Sequence, residues 1–231
     1  NLSKSSRVPT IEELYSEGPH LAAYSYETGN PDLESESGLG LELFSYYKAD
    51  NFYSLLNLYY YDINDFIIPR NTGKINYQTF LPVYSTQGVG ATILGAEFQS
   101  EIKLSHAFTF LLKASFTQGR MVGGGNLPQI PPAKLFLEAS YKLFEKSTLE
   151  VSAEMAASQD ETDTFETPTA GYISINGIYH QSFVLGNLTG LLSIGVDNIL
   201  DTEYKNHLSR VKSIMPETGR NLRTILKVYI F

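Results

Sequence analysis

Residues Gly88–Leu104 read GVGATILGAEFQSEIKL, and within them Leu94, Ala96, Phe98, Ile102 and Leu104 share one parity while Gly95, Glu97, Gln99, Glu101 and Lys103 share the other. A period of two belongs to a strand, whose successive side chains point to opposite faces; a helix spaces its apolar positions three and four apart. The pattern recurs outward from this stretch. Phe108, Phe110, Leu112, Ala114 and Phe116 alternate with Thr109, Lys113, Ser115 and Thr117, and Leu135, Leu137, Ala139, Tyr141 and Leu143 alternate with Lys134, Glu138, Ser140 and Lys142. Leu149, Val151, Ala153 and Met155 oppose Glu150, Ser152 and Glu154, and Leu188, Leu192, Ile194 and Val196 oppose Thr189, Ser193 and Asp197. Less regular runs at Leu39–Lys48, Phe52–Asn64, Tyr172–Phe183, Leu222–Phe231 and Asn1–Val8 bring the expectation to about ten strands.

The connections between these strands sort by length. Those at 49–51, 105–107, 144–146 and 186–187 are tight, whereas those around 9–35, 65–87, 119–132, 158–170 and 199–221 are long. In an antiparallel meander, alternation of short and long connections sends them to opposite ends. Strands of this length with segregated loops match an outer-membrane barrel, with short turns periplasmic and long loops extracellular. Alternation alone also fits a soluble β-sandwich, because lipid and protein core look alike to an apolar side chain. In the last strand Leu222, Leu226, Val228 and Ile230 share one parity and Arg223, Lys227 and Phe231 the other, which leaves open which set meets lipid.

Composition narrows the function classes. The chain of 231 residues carries 16 Tyr and 13 Phe without Trp, an aromatic excess suited to membrane interfaces. It has no Cys, so disulfide frameworks and Cys-ligated metal sites are excluded. A formal charge of -8 without a basic stripe argues against nucleic-acid binding. No apolar run is long enough for a spanning helix, so a membrane location requires a closed barrel. The sequence opens Asn1-Leu2-Ser3-Lys4 without a signal-peptide core, which reads as a mature or internal start. No Gly-x-Ser-x-Gly, His-Glu-x-x-His or supported carboxylate pair occurs, so an enzyme is not expected.

Several strings carry a resemblance. Arg7-Val8-Pro9-Thr10, Glu12 to Ala22 (EELYSEGPHLA), and Tyr26-Glu27-Thr28-Gly29-Asn30-Pro31-Asp32-Leu33 with Glu36 resemble the mid-barrel signature of TonB-dependent outer-membrane receptors. Leu127 to Pro132 (LPQIPP), Glu166 to Tyr172 (ETPTAGY), Asn198 to Tyr204 (NILDTEY), Asn206-His207-Leu208-Ser209 and Gly219-Arg220-Asn221 follow in that family's order. The GPHLA and NHLS strings are most similar to the branch that takes up zinc or other metals. The closing Tyr229-Ile230-Phe231 resembles the signature read by the barrel-assembly machinery, which makes Phe231 its expected contact.

The resemblance implies an all-β, antiparallel transmembrane barrel of 22 strands in a Gram-negative outer membrane, plugged by an amino-terminal domain that couples to TonB. Residues 1–231 would be its carboxyl-terminal portion, about ten of those strands, with the plug and early strands lying outside this sequence. The implied partners are outer-membrane lipid, the TonB system through the missing part, and a metal ion or metal chelate such as a siderophore, haem or zinc. No resident cofactor is implied. A passive porin, an adhesin and a soluble ligand-binding sandwich are the alternatives.

Two histidines fall in long loops. His20 in the first and His207 in the last are the candidate metal ligands, since imidazole suits zinc, copper, nickel and iron. His106 lies in a predicted periplasmic turn and His180 on a strand, neither with a partner at ligand spacing. Asp160 to Glu166 (DETDTFE) reads as a solvated loop, Gly123-Gly124-Gly125 as a loop tip, and Tyr59-Tyr60-Tyr61 as part of an aromatic girdle.

Overall fold

A computed structural model describes residues 1–230, apart from the side chain of Ile230. Its strands are β1 (Leu2–Arg7), β2 (Glu17–His20), β3 (Ser25–Thr28), β4 (Glu36–Lys48), β5 (Phe52–Ile75), β6 (Pro82–Lys103), β7 (Phe108–Met121), β8 (Lys134–Phe144), β9 (Ser147–Ala156), β10 (Tyr172–Leu185), β11 (Leu188–Asp197) and β12 (Asn221–Ile230), with a short helix α1 (Ile11–Tyr15). Strands β1 and β4 to β12 pair in chain order, each antiparallel to the next. These are the ten strands expected from the periodicity. The sheet is not closed: among the described residues β1 pairs only with β4, and β12 only with β11. Phe231, expected to contact the assembly machinery, lies outside the described residues.

The register lines the two parities into two faces. One row runs Leu56, Phe98, Ala114, Leu135, Met155 and Ile173 across six strands; the row one residue away runs Leu55, Gln99, Lys113, Phe136, Glu154 and Ser174. The first row is apolar throughout and the second mixed and charged, as a wall between lipid and a polar lumen requires. The register also settles the last strand. Leu222, Leu226 and Val228 sit beside Val196, Leu192 and Gly190, so they extend the apolar face, while Arg223 binds Asp197 at 3.2 Å on the other.

Glycines on this wall make room for rings. Gly40, Gly95 and Gly190 stand directly opposite Tyr61, Tyr59 and Phe183, and a Cβ at each glycine would fall within 2.7, 2.3 and 2.3 Å of the ring opposite. Each aromatic therefore lies flat across a strand and covers backbone that glycine leaves bare. Tyr60 alone of the tyrosine run joins the apolar face. Tyr59 and Tyr61 lie on the polar face, bonded to Thr117 and Glu42, and so are not girdle residues.

Two connections expected as open loops are built differently. Strands β5 and β6 have 24 and 22 residues, roughly twice the nine to eleven that span a bilayer. Most of the segment 65–87 is therefore a projecting ladder, with only 76–81 at its tip. The sequence hid this because Asn64 and Asp65 form a bulge, with Asp65 at φ +54°: Ile63 pairs with Ala91 before it and Phe66 with Val89 after it. The bulge exchanges parities, so a fixed period of two ends there although the strand continues. The segment 9–35 likewise holds α1 and the β2–β3 hairpin. Thr10 and Glu13 form a capping box on α1, and Arg7 binds both Glu13 and Glu36. Strand β3 then pairs in parallel with β6 at Tyr26–Val83, Glu27–Tyr84 and Thr28–Ser85, on the edge that β7 vacates above Ala91.

Candidate functional site

The long connections do not hang separately but form one layer at their end of the sheet. The β7–β8 connection turns back so that Leu127, 1% exposed, packs on Ile68 and Ala91 with Phe66, Val89, Met121 and Ile130 around them. Burying a leucine side chain in this way contributes about 2 kcal/mol. The β9–β10 connection is clamped to β5 by Arg70, whose Nε and Nη2 donate to Asp163 at 2.8 and 2.6 Å. A bidentate guanidinium–carboxylate pair fixes orientation as well as distance.

Glu166 is the hub. It accepts from the Gln129 N–H at 3.1 Å and from Lys212 Nζ at 2.9 Å, and its Oε1 lies 3.1 Å from His207 Nε2, so three connections converge on one carboxylate. Burial alone would push its pKa up, but the hydrogen bonds from His207 and Lys212 outweigh that and hold it at about 2. The β11–β12 connection is shaped separately by Asn198, at φ +51°, whose side chain accepts from the Thr202 N–H at 2.9 Å and donates to the Thr202 carbonyl at 2.9 Å.

Between these connections lies a cavity of about 230 Å³. Its wall includes Tyr24, Tyr84, Phe165, Gln129, Arg210 and Lys212, contributed by the β2–β3 region, β6 and three long connections. Arg210 reaches across the layer: its guanidinium stands 4.7 Å from the Tyr84 ring centroid and its Nη2 is 3.4 Å from Glu27. The cavity is aromatic and apolar on some sides and ionic on others, the mixture common in small-molecule sites.

The two candidate metal ligands stand in different surroundings. His20 is 57% exposed in its side chain, with Nδ1 3.2 Å from Glu27 Oε1, so it stands at the border of this layer beside a carboxylate. His207 lies inside the layer. It is 2% exposed, with Nδ1 2.9 Å from Thr169 Oγ1 and Nε2 3.1 Å from Glu166, and Lys212 Nζ lies 3.3 Å from both ring nitrogens. Both nitrogens are occupied and a cation covers the ring, an arrangement that pins the connections together. Among the described residues no group of three or more His, Asp or Glu stands in metal-holding geometry.

The remaining features sort similarly. His106 is in the turn between β6 and β7, and His180 bonds Ser193 at 2.8 Å on the polar face of the sheet, 3.5 Å from Glu150. Gly123, Gly124 and Gly125 all have positive φ at an exposed tip. The acidic run is only partly solvated, because Asp163 and Glu166 turn inward to Arg70 and Lys212. Arg70, Arg210, Lys212 and Tyr24 had no motif to announce them. The one sequence signal was the pair of cations, Arg210 and Lys212, beside a histidine in the last loop.

Solved structures share this architecture. The copper transporter OprC superposes with a TM-score of 0.80 at 22% identity, over 100% of this chain and 36% of that one. The siderophore receptor PirA of Acinetobacter baumannii gives 0.70 at 15% identity, over 100% of this chain and 38% of that one. The ferric enterobactin receptor PfeA of Pseudomonas aeruginosa gives 0.67 at 17%, over 99% and 37%. The chain thus spans a little over a third of the length of these structures. Residues 1–199, most of the chain, match the family model described as TonB dependent receptor-like, beta-barrel, and the chain belongs to that family.

Proposed function

We propose that this chain forms the carboxyl-terminal wall and loop layer of an outer-membrane receptor that imports a metal ion or metal complex by TonB-dependent transport, and that it performs no enzymatic chemistry. The observation that carries this reading is the layer itself. A passive pore is served by loops that leave its lumen open, whereas here the three long connections between β7 and β12 are cross-tied around one cavity through Glu166 and Arg70. A receptor needs such a prebuilt surface, because ordering loops at the moment of binding subtracts from affinity. Family membership and the likeness to a copper transporter and to siderophore receptors support a metal-containing cargo.

Within this reading His20, exposed and adjacent to Glu27, is the proposed metal contact. His207 serves the layer's rigidity instead. The test is uptake of radiolabelled zinc or ferric chelate by cells in which this receptor is the only outer-membrane route, with and without a protonophore. Energy-dependent uptake that falls in His20→Ala is expected. Uptake indifferent to the protonophore would assign the chain to a passive barrel, and His20→Ala with parental uptake would remove that residue.

A further inference from the structure

The charged groups around the cavity are matched, with one exception. Asp163 holds Arg70 through two short hydrogen bonds, and Glu166 is occupied by Lys212, His207 and the Gln129 backbone. Among the described residues Arg210 has one long side-chain contact, Nη2 to Glu27 Oε1 at 3.4 Å, and its buried Nε has no acceptor. The guanidinium carbon stands over the Tyr84 ring at 4.7 Å from its centroid, a cation–π contact. A guanidinium presents Nε–H and Nη2–H in parallel along one edge, a fork that fits the two oxygens of a carboxylate.

Here that edge meets a single distant oxygen. The Glu27 oxygen concerned already accepts from Ser25 Oγ at 2.9 Å and lies 3.2 Å from His20 Nδ1. Glu27 therefore keeps partners if it leaves Arg210, whereas Arg210 has no second acceptor among the described residues. We propose that the cavity binds a small carboxylate, anchored side-on by Nε and Nη2 of Arg210 in exchange for Glu27. The displaced Glu27 marks the chemistry of the ligand, since a carboxylate already occupies part of the fork. Tyr24, Tyr84 and Phe165 provide apolar surface for its carbon skeleton, and the Gln129 side chain an amide. Tyr24 takes the left-handed conformation, φ 48°, ψ 50°, that closes the 3-10 turn Leu21–Ala23, and its N–H donates to the Leu21 carbonyl.

The inference deepens the receptor reading and rests on it for the cargo: the carboxylate arrives as a free acid or as an arm of a metal chelate, whose metal meets the released Glu27 and His20. Isothermal titration calorimetry of the full-length receptor in detergent, with citrate, zinc citrate and inorganic phosphate, tests it. The parent binds citrate or zinc citrate, and Arg210→Lys, which keeps the charge but loses the fork, weakens that binding by roughly tenfold or more. Glu27→Gln, which weakens the competitor, tightens free citrate; it weakens zinc citrate if the metal contacts Glu27. Heat-modifiable electrophoretic mobility checks that each variant is folded.

Equal affinity in Arg210→Lys and parent overturns the proposal, as does phosphate binding at least as tightly as citrate, or the absence of any carboxylate binding by folded protein. Protonophore-sensitive metal uptake without carboxylate binding would sink this inference alone. Protonophore-insensitive uptake with carboxylate binding intact would sink the receptor reading alone.

Discussion

Glu166 shows how one residue ties sequence-distant segments into a layer. Its side chain is 10% exposed, and removing its charge leaves Lys212 and His207 buried without their common partner. Because the fold lowers its pKa from 4.5 to about 2, it favours the ionised form, so the stabilisation is complete above the ordinary value and is lost as pH falls from about 4.5 toward 2. At 1.36 kcal/mol per pKa unit, that linkage amounts to about 3 kcal/mol. Hydrogen exchange of residues 160–170 and 204–215, corrected for the intrinsic pH effect, is therefore expected to accelerate below pH 4 while the strands stay protected. Glu166→Gln should show the faster exchange already at pH 7. Equal protection at pH 3.5 and 7 would show that the carboxylate does not hold the connections.

At the scale of the element, glycine–aromatic pairs and one apolar plug carry the specificity. Gly95→Val places methyl groups where the Tyr59 ring and the Phe116 carbonyl already stand, so the ring must leave its hydrogen bond with Thr117. Overpacking of this kind costs about 1–3 kcal/mol and should lower the unfolding midpoint in a urea titration; Gly95→Ala is expected to cost less, and an unchanged midpoint in Gly95→Val would contradict the packing. Leu127→Ala tests the fold-back of the β7–β8 connection. It removes a side chain packed on Ile68 and Ala91, with a cost of about 2–5 kcal/mol, and should expose residues 122–133 to protease without altering strand content. The projecting half of β5 and β6 illustrates why an element can elude periodicity. Pro69 and Gly73 are loop signals in isolation, yet Pro69 pairs opposite Thr86 and the ladder reaches Ile75–Pro82.

For the whole molecule, the apolar face and the two outer strands determine behaviour in solution. Leu39, Leu41 and Leu43 on β4 are 57–62% exposed, and Leu222 and Leu226 on β12 are 71% and 61% exposed. Such a surface far exceeds what a monomer in water tolerates, and unpaired strands beside it are templates for further pairing. The chain should be monodisperse only in detergent or lipid, and detergent removal should give light-scattering aggregates. A clear monomer in aqueous buffer would be incompatible with the apolar face meeting lipid.

Sequence by itself determined the ten-strand meander, its two faces and the segregation of its connections. Each follows from local rules: backbone geometry imposes a period of two, and two different solvents on the faces write that period into residues such as Phe98 and Glu97. Only tertiary structure decided that His207 is a buried pin, that β5 continues past Asp65, and that Arg210 reaches a carboxylate 183 residues away. Those outcomes depend on which connections meet above the sheet, and a contact between distant segments leaves no periodic trace in either of them.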